Sequence, residues 1–150
     1  MERKRKIIPP VYLLLSLLAM TALHFLLPLG RFAWPPYTWL GLVPLGAGMG
    51  MGFHASNAFR TAGTPVVPFE PSTVLVTKGM YRLTRNPMYL GLLLILIGVA
   101  VLFGTVGALL PIPVFAWIIH SQFIVGEERF LEEIFGPSYL SYKKSVRRWI

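Results

Sequence analysis

Cysteine is absent from this chain of 150 residues, and charged side chains make up only 13% of it. Without cysteine there is no disulfide, no thiolate nucleophile and no cysteine-ligated metal site. Only six residues are acidic and three are histidine, so groups for acid–base or metal chemistry are few. Any chemistry must therefore rely on a small number of polar side chains.

Apolar residues, by contrast, make up 55% of the chain, more than a soluble domain of this length can bury. Four apolar runs are close to the ~20 residues needed to cross a hydrocarbon core. These runs are 11–27, 39–59, 87–103 and 107–125. We therefore predict an all-α integral membrane protein. It has about four transmembrane helices in a single domain, residues 1–150, and a C-terminal cytoplasmic or interfacial amphipathic region at 127–150.

The basic residues follow this topology. If the N-terminus is cytoplasmic, four spans leave only Arg31 of the 14 Lys and Arg residues on the outer side. Cytoplasmic segments of membrane proteins are enriched in Lys and Arg, so we predict a multi-pass protein of the cell or inner membrane with both termini cytoplasmic. The net charge of +8 is then an orientation signal, and no nucleic-acid partner is predicted.

Glycines recur in the second apolar run, where Gly46 and Gly50 are four residues apart, as are Gly48 and Gly52. A nucleotide-binding loop does not fit, because no G-x-G-x-x-G spacing and no preceding strand is present. Small residues let another helix approach closely, so this run is predicted to contact a neighbouring helix.

The third and fourth runs are joined by the uncharged sequence GTVG, which predicts an antiparallel hairpin. At its cytoplasmic end, Asn86 before Pro87 is typical of a helix start with a side-chain cap. Glu127 and Glu128 lie at the same depth on the neighbouring helix. A helix N-terminus favours an anion, and carboxylates at a bilayer edge require a cation. The two helix ends together therefore suit a zwitterion.

A purely structural interpretation of the same residues is equally open. Arg82 or Arg85 could pair with Glu127 or Glu128 and simply hold the hairpin together. Beyond the hairpin, Gly136 and Pro137 are predicted to stop one helix before a second begins at Ser138. This second helix has an apolar stripe beside four basic residues, which predicts an interfacial helix on an anionic leaflet. The stripe comprises Tyr139, Tyr142, Val146 and Trp149.

Two sequence blocks resemble the integral-membrane methyltransferases, which include isoprenylcysteine carboxyl methyltransferases and phospholipid N-methyltransferases. The blocks are LVTKGMYRLTRNPMYLG (75–91) and, after the hairpin, EERFLEEIFGPSYLSYKKSV (127–146). The resemblance covers the chain from about Arg60 to its C-terminus. It implies an S-adenosyl-L-methionine site at the cytoplasmic membrane edge, without a Rossmann fold, and methyl transfer to a lipophilic or amphiphilic acceptor.

The resemblance also implies which residues contact the cofactor. They are Thr73, Val74, Leu75, Val76, Tyr81, Asn86, Pro87, Met88, Tyr89 and Glu127. Two further roles are hypotheses from chemistry: Arg85 anchors a phosphate or carboxylate of the acceptor, and Glu128 relays a proton from an amine acceptor. No metal site is predicted.

Departures from the family pattern bear on the acceptor. The carboxyl methyltransferases usually have R-H-P where this chain has Arg85-Asn86-Pro87, and asparagine cannot act as a titrating base. Phe123 stands where those enzymes have a carboxylate-binding arginine, and the RTAGT sequence at 60–64 is more similar to the phospholipid group. A phospholipid amine or another lipid-like small molecule is thus favoured over a prenylcysteine carboxylate.

Other classes of function stay open. Membrane sterol-type reductases have a related C-terminal block and bind a nicotinamide dinucleotide, and a non-enzymatic membrane interaction protein would tolerate changes at Asn86, Tyr89 and Glu127. His24, His54 and His120 lie one apiece in three apolar runs, which favours packed or hydrogen-bonded histidines over haem or metal ligands. Membrane lipids are the expected surroundings, and the oligomeric state is undetermined.

Overall fold

The structure, a computed structural model, describes residues 8–65 and 73–150. In these ranges the chain forms six α-helices and no β-strand, which confirms the all-α prediction. The helices are α1 (Pro9–Leu26), α2 (Leu42–Thr61), α3 (Pro87–Phe103), α4 (Pro111–Ile119), α5 (Val125–Phe135) and α6 (Pro137–Ser145). The basic cluster at residues 3–6 lies outside the described residues, as does part of the loop between α2 and α3.

The helix of the fourth apolar run is longer than predicted. The segment His120–Ile124 forms a π-helical turn between α4 and α5, so the backbone continues as one helical run from Gly107 to Phe135. The predicted end at residue 125 was read from the end of the apolar pattern. The helix itself continues, and it carries Glu127 and Glu128 beyond the apolar stretch.

Two helical segments in the described part of the chain are long and apolar enough to cross a membrane. They are Pro9–Leu26 and Gly107–Phe135, while the apolar α3 is shorter, at 17 residues. Large apolar side chains also point outward, such as Phe53, which is 70% exposed on α2. Contiguous apolar surface of this kind is typical of contact with lipid, and the four-span arrangement stays a prediction.

Helix α3 is central and packs against α1, α2 and α4. The helix begins at Pro87 and ends at Phe103, and the next residue, Gly104, has a left-handed φ of 66°. The buried apolar cluster joins α1, α3 and the Gly107–Phe135 run. It comprises Met20, Tyr89, Leu96, Ala100, Ala108, Phe115, Ile119, Phe123 and Ile124.

Glycines bring α2 and α3 into close contact. A Cβ atom added to Gly48 would lie 2.5 Å from the Gly91 carbonyl oxygen, and one added to Gly91 would lie 2.7 Å from the Gly48 oxygen. The predicted helix–helix contact is therefore present at Gly48. It is not made by Gly46 and Gly50, whose added Cβ atoms would meet no atom within 4 Å.

The C-terminal helices fold back on the bundle. Gly136, with φ 49°, ends α5, and α6 begins at Pro137, close to the predicted boundary. Tyr139 is buried, and the Tyr142 hydroxyl donates a hydrogen bond to the Tyr81 carbonyl at 2.6 Å. The predicted leaflet-binding stripe is therefore wrong: α6 ends at Ser145, before Val146 and Trp149, and the aromatic residues of the stripe pack on the protein.

Candidate active site

A cavity of about 380 Å³ lies where α3 begins. Its walls come from the start of α1, from α2, from residues 74–76 and from the N-terminal turns of α3 and α5, with α6 closing one side. The volume is within the range of small-molecule sites. Every residue predicted to bind the cofactor or act in catalysis lines this cavity except Thr73 and Pro87.

The two exceptions lie beside the cavity and have structural contacts. The backbone N–H of Thr73 donates a hydrogen bond to the Thr64 hydroxyl at 3.1 Å. This bond joins the two described parts of the α2–α3 loop. Pro87 is buried at the first position of α3, where its missing N–H costs no helical hydrogen bond. The predicted helix start at Pro87 is confirmed.

Glu127 and Tyr89 join α5 to α3 inside the cavity. The Tyr89 hydroxyl donates a hydrogen bond to Oε1 of Glu127 at 2.7 Å. Tyr89 is buried and belongs to the apolar core, so its hydroxyl has a fixed position. The pair places one carboxylate in a wall that is otherwise largely aromatic and aliphatic, an arrangement suited to an organic cation.

Asn86 does not cap α3 through its side chain, contrary to prediction. Its Nδ2 instead donates to the carbonyl of Arg148 at 3.0 Å, and its backbone N–H donates to the Thr84 hydroxyl at 3.1 Å. The amide turns away because the C-terminal chain supplies an acceptor for it. The first turn of α3, next to the cavity, is thus left without a side-chain cap.

The guanidinium group of Arg85 is held by hydrogen bonds within the protein. Its Nη1 donates to the carbonyls of Lys143 at 3.0 Å and Val146 at 2.7 Å, and its Nη2 donates to Glu128 at 2.9 Å. The side chain is only 9% exposed. Its Nε is buried and has no hydrogen-bond partner among the described residues. Few N–H groups of Arg85 remain to bind a phosphate or carboxylate of the methyl acceptor. This geometry argues against the anchoring role predicted for Arg85.

Glu128 accepts hydrogen bonds from two guanidinium groups. Arg85 reaches Oε1 at 2.9 Å, and Arg148 reaches Oε1 through Nε at 2.9 Å and Oε2 through Nη2 at 2.7 Å. The Glu128 hydrogen bond raises the pKa of Arg148, so that guanidinium is always charged. A carboxylate held by two cations is stabilised as the anion and is a weak base. The geometry therefore argues against the proton-relay role and matches the structural interpretation of this pair.

Tyr81 and Tyr142 form an aromatic wall. Burial raises the pKa of both phenols, so both are neutral at physiological pH. The Tyr142 hydroxyl donates to the backbone of Tyr81, whose ring meets Phe59 of α2 edge-on at 5.5 Å. This contact ties α6 and α2 to the segment that leads into α3.

Several residues at the site were not predicted from the sequence. Arg148 was read as a lipid-facing cation, and Tyr142 as part of a leaflet-binding stripe. Sequence spacing marked both residues, but it did not show which surface they cover. Besides Tyr142, the lining residues that were not predicted are Ile8, Pro9, Pro10, Gly52, Phe59, Pro65, Leu92, Phe130, Leu131 and Tyr139.

The described residues contain no cluster of three or more His, Asp or Glu side chains that could hold a metal ion. His24 lies away from the cavity. Its Nδ1 is 3.0 Å from the Thr105 hydroxyl, and its ring stacks on Phe103 with centroids 4.5 Å apart. For His24, these contacts match the interpretation as a packed, hydrogen-bonded histidine.

These features define an all-helical protein of the membrane type, with an aromatic and ion-paired cavity at one end of its bundle. Residues 36–138 match the family model described as phospholipid methyltransferase. Because the match covers more than half of the chain, the chain belongs to this family of integral-membrane proteins. Residues 139–150 lie beyond the matched segment.

Curated relatives support the assignment. The chain is 38% identical over 80 residues to protein-S-isoprenylcysteine O-methyltransferase A of Arabidopsis thaliana, covering 53% of this chain and 41% of that protein. It is 37% identical over 73 residues to the Schizosaccharomyces pombe O-methyltransferase, 49% of this chain and 31% of the relative. It is 34% identical over 114 residues to the protein-S-isoprenylcysteine O-methyltransferase of Xenopus laevis, and this match covers 73% of this chain and 40% of that protein. The chain thus spans about two fifths or less of the length of these relatives.

Proposed function

We propose that this protein transfers a methyl group from S-adenosyl-L-methionine to a lipophilic or amphiphilic acceptor at the cytoplasmic face of a membrane. A phospholipid amine or another lipid-like small molecule is favoured over a prenylcysteine carboxylate. The observation that carries the proposal is the cavity, which gathers nearly all the residues that the family resemblance implies for the cofactor.

The residues of the cavity fit this cofactor, which supplies an electrophilic methyl group on a sulfonium when it is bound. The carboxylate of Glu127 suits its ammonium group, and the uncapped first turn of α3 suits its carboxylate. The rings of Tyr81 and Tyr89 offer faces for the adenine or the sulfonium. The cofactor and its contacts are part of the proposal.

The protein's own part in the reaction is chiefly positioning. Displacement at a methyl group needs alignment and exclusion of water more than an acid or a base. Apolar side chains, including Leu92, Phe130 and Leu131, keep water away from the polar wall. The acceptor-anchoring role of Arg85 and the relay role of Glu128 stay predictions, and the geometry favours both residues as supports of the wall.

The acceptor's apolar part would lie against the apolar lining of the cavity. This lining includes the first residues of α1 and Gly52 of α2, where an added Cβ atom would meet no atom within 4 Å. Phe123 is buried against Tyr12 with ring centroids 5.9 Å apart, so no cation replaces the carboxylate-binding arginine at that position. An amine acceptor fits better than a carboxylate.

The membrane arrangement in this proposal has four spans, formed by α1, α2, α3 and the apolar part of the Gly107–Phe135 run. Both termini are cytoplasmic, and the cavity lies at the cytoplasmic edge. Polar Arg85, Glu127 and Glu128 then lie where water reaches the bundle, which avoids burying their charges in hydrocarbon. Membrane lipids surround the helices.

Calorimetric titration of the detergent-purified protein with S-adenosyl-L-methionine and S-adenosylhomocysteine tests the proposal. We expect saturable binding that Glu127→Ala weakens by about tenfold or more, because a hydrogen bond to a charged group contributes roughly 1.5–3 kcal/mol. Glu133→Ala is the matched control, since Glu133 is an exposed glutamate on the same helix.

NADPH is titrated alongside. Binding of NADPH without binding of either methyl-transfer ligand would contradict the proposal in favour of the reductase, and no binding of any of the three would favour a non-enzymatic protein. Methylation of phosphatidylethanolamine in mixed micelles then tests the acceptor class.

A further inference from the structure

The last residues of the chain, beyond the segment that the family model matches, accept hydrogen bonds from the residues that lead into α3. We call residues 146–150 the C-terminal tail. Its backbone accepts hydrogen bonds from the residues before α3: the Arg85 N–H donates to the Arg147 carbonyl at 2.9 Å, and the Thr84 hydroxyl donates to the Arg148 carbonyl at 3.0 Å. Asn86 Nδ2 donates to the same Arg148 oxygen at 3.0 Å. The tail is thus fastened along one side of the proposed cofactor site.

Arg148 is the residue of the tail that links two helices. Its carbonyl holds the start of α3, and its guanidinium holds both carboxylate oxygens of Glu128 on α5. The Glu128 side chain is 6% exposed, whereas that of Arg148 is 35% exposed. The half-buried Arg148 side chain therefore extends from the surface to a buried carboxylate. Arg148 does not itself line the cavity.

Glu127, which accepts a hydrogen bond from Tyr89, directly precedes Glu128 on α5. Because the two residues are consecutive on α5, a fixed Glu128 fixes the turn that presents Glu127. Glu127 accepts a hydrogen bond from Tyr89 in the first turn of α3, and the tail holds Asn86 just before that turn. Arg148 therefore contacts both sides of the junction between α5 and the start of α3, where Arg85 also donates to Glu128.

We propose that Arg148 is a positioning residue of the donor site: it holds Glu128, and through it Glu127, in register with Asn86 and Tyr89. The inference rests on the proposed function. An arginine suits this role better than a lysine, because its planar guanidinium contacts both carboxylate oxygens at once, whereas a lysine is a single point of charge.

We expect variants at Arg148 to fold, because Glu128 keeps its ion pair with Arg85. The variants are Arg148→Ala and Arg148→Lys. Arg129→Ala is the matched control, since Arg129 is the exposed neighbour of Glu128 and the change removes the same charge. For each protein, the dissociation constant of S-adenosylhomocysteine is measured by calorimetry and the melting temperature by fluorimetry.

We expect Arg148→Ala to weaken S-adenosylhomocysteine binding by about tenfold or more, since small displacements of positioning groups have effects of this size. Arg148→Lys should recover part of the affinity, and Arg129→Ala should bind like the wild type. Because Arg148 acts through Glu128, the double variant Arg148→Ala with Glu128→Gln should bind no more weakly than Glu128→Gln alone.

Wild-type affinity in Arg148→Ala, with or without a lower melting temperature, would overturn the inference while leaving the proposed function intact. Absence of S-adenosylhomocysteine binding in the wild type would overturn both. If Arg148→Ala does not fold, Arg148→Lys decides: weakened binding at a wild-type melting temperature supports positioning, and wild-type affinity overturns it.

Discussion

Glu127 and Glu128 are adjacent in sequence but have different environments. Glu127 accepts a hydrogen bond from the phenol of Tyr89, whereas Glu128 accepts three hydrogen bonds from Arg85 and Arg148. Consecutive residues on a helix point about 100° apart, so the two carboxylates face different neighbours. One is suited to contact a ligand in the cavity and the other to hold the cavity wall together.

Tyr139 supplies a prediction about pH. Burial, together with the charge of Glu128, raises the pKa of Tyr139 to about 12. In the unfolded chain a phenol ionises near pH ~10, so the stability gained by burying the neutral phenol is present below about pH 10 and is lost as the pH rises toward 12.

We expect the melting temperature of the wild type to fall between about pH 10 and about pH 12 more steeply than that of Tyr139→Phe, which has no ionisable side chain at this position. Scanning fluorimetry of both proteins in detergent measures the difference. Parallel curves of melting temperature against pH for the two proteins would show that Tyr139 does not contribute to the pH dependence of stability.

At the level of helices, the contact between α2 and α3 depends on glycine at specific positions. We expect Gly48→Ala to lower the free energy of unfolding by roughly 1–3 kcal/mol, because its methyl group would overlap the Gly91 backbone. Gly46→Ala, on the open face of the same helix, should cost nothing, since alanine favours the helix by up to about 1 kcal/mol.

Thermal unfolding of the two variants in one detergent measures the difference. Equal melting temperatures would mean that the helices do not approach as closely as the structure has them. The pairing also bears on the site, because Gly52, one turn after Gly48 on α2, lines the cavity. Separation of α2 from α3 should therefore weaken ligand binding as well as stability.

At the scale of the whole molecule, the proposed topology places the loop before α2 and the end of α6 on opposite sides of the membrane. The chain has no cysteine, so single cysteines can be introduced without background. We expect Tyr37→Cys to react with a membrane-impermeant maleimide in right-side-out vesicles, and Ser145→Cys to react only in inside-out vesicles.

Both positions are exposed, so protection reflects the membrane and not the fold. Labelling of both cysteines from the same side would rule out three spans between them, and labelling from the opposite sides to those expected would reverse the orientation.

The sequence predicted those features that depend on neighbouring residues. The bounds of α3 agree with the apolar run at 87–103, because Pro87 and Gly104 mark its two ends. The break between α5 and α6 was predicted from Gly136 and Pro137 for the same reason. The end of the fourth run was missed, because the helix continues through a π turn after the apolar pattern has stopped.

Composition and local pattern by themselves predicted the all-helical, strongly apolar character of this protein, and the family resemblance implied most of the residues gathered at the cavity. Only the tertiary structure decided that Glu128 pairs with two arginines and that the aromatic stripe of α6 and the tail face inward. The physical reason is distance along the chain. Periodicity shows which side chains share a face of a helix, but the surface that covers this face is set when segments about sixty residues apart come together, as Asn86 and Arg148 do.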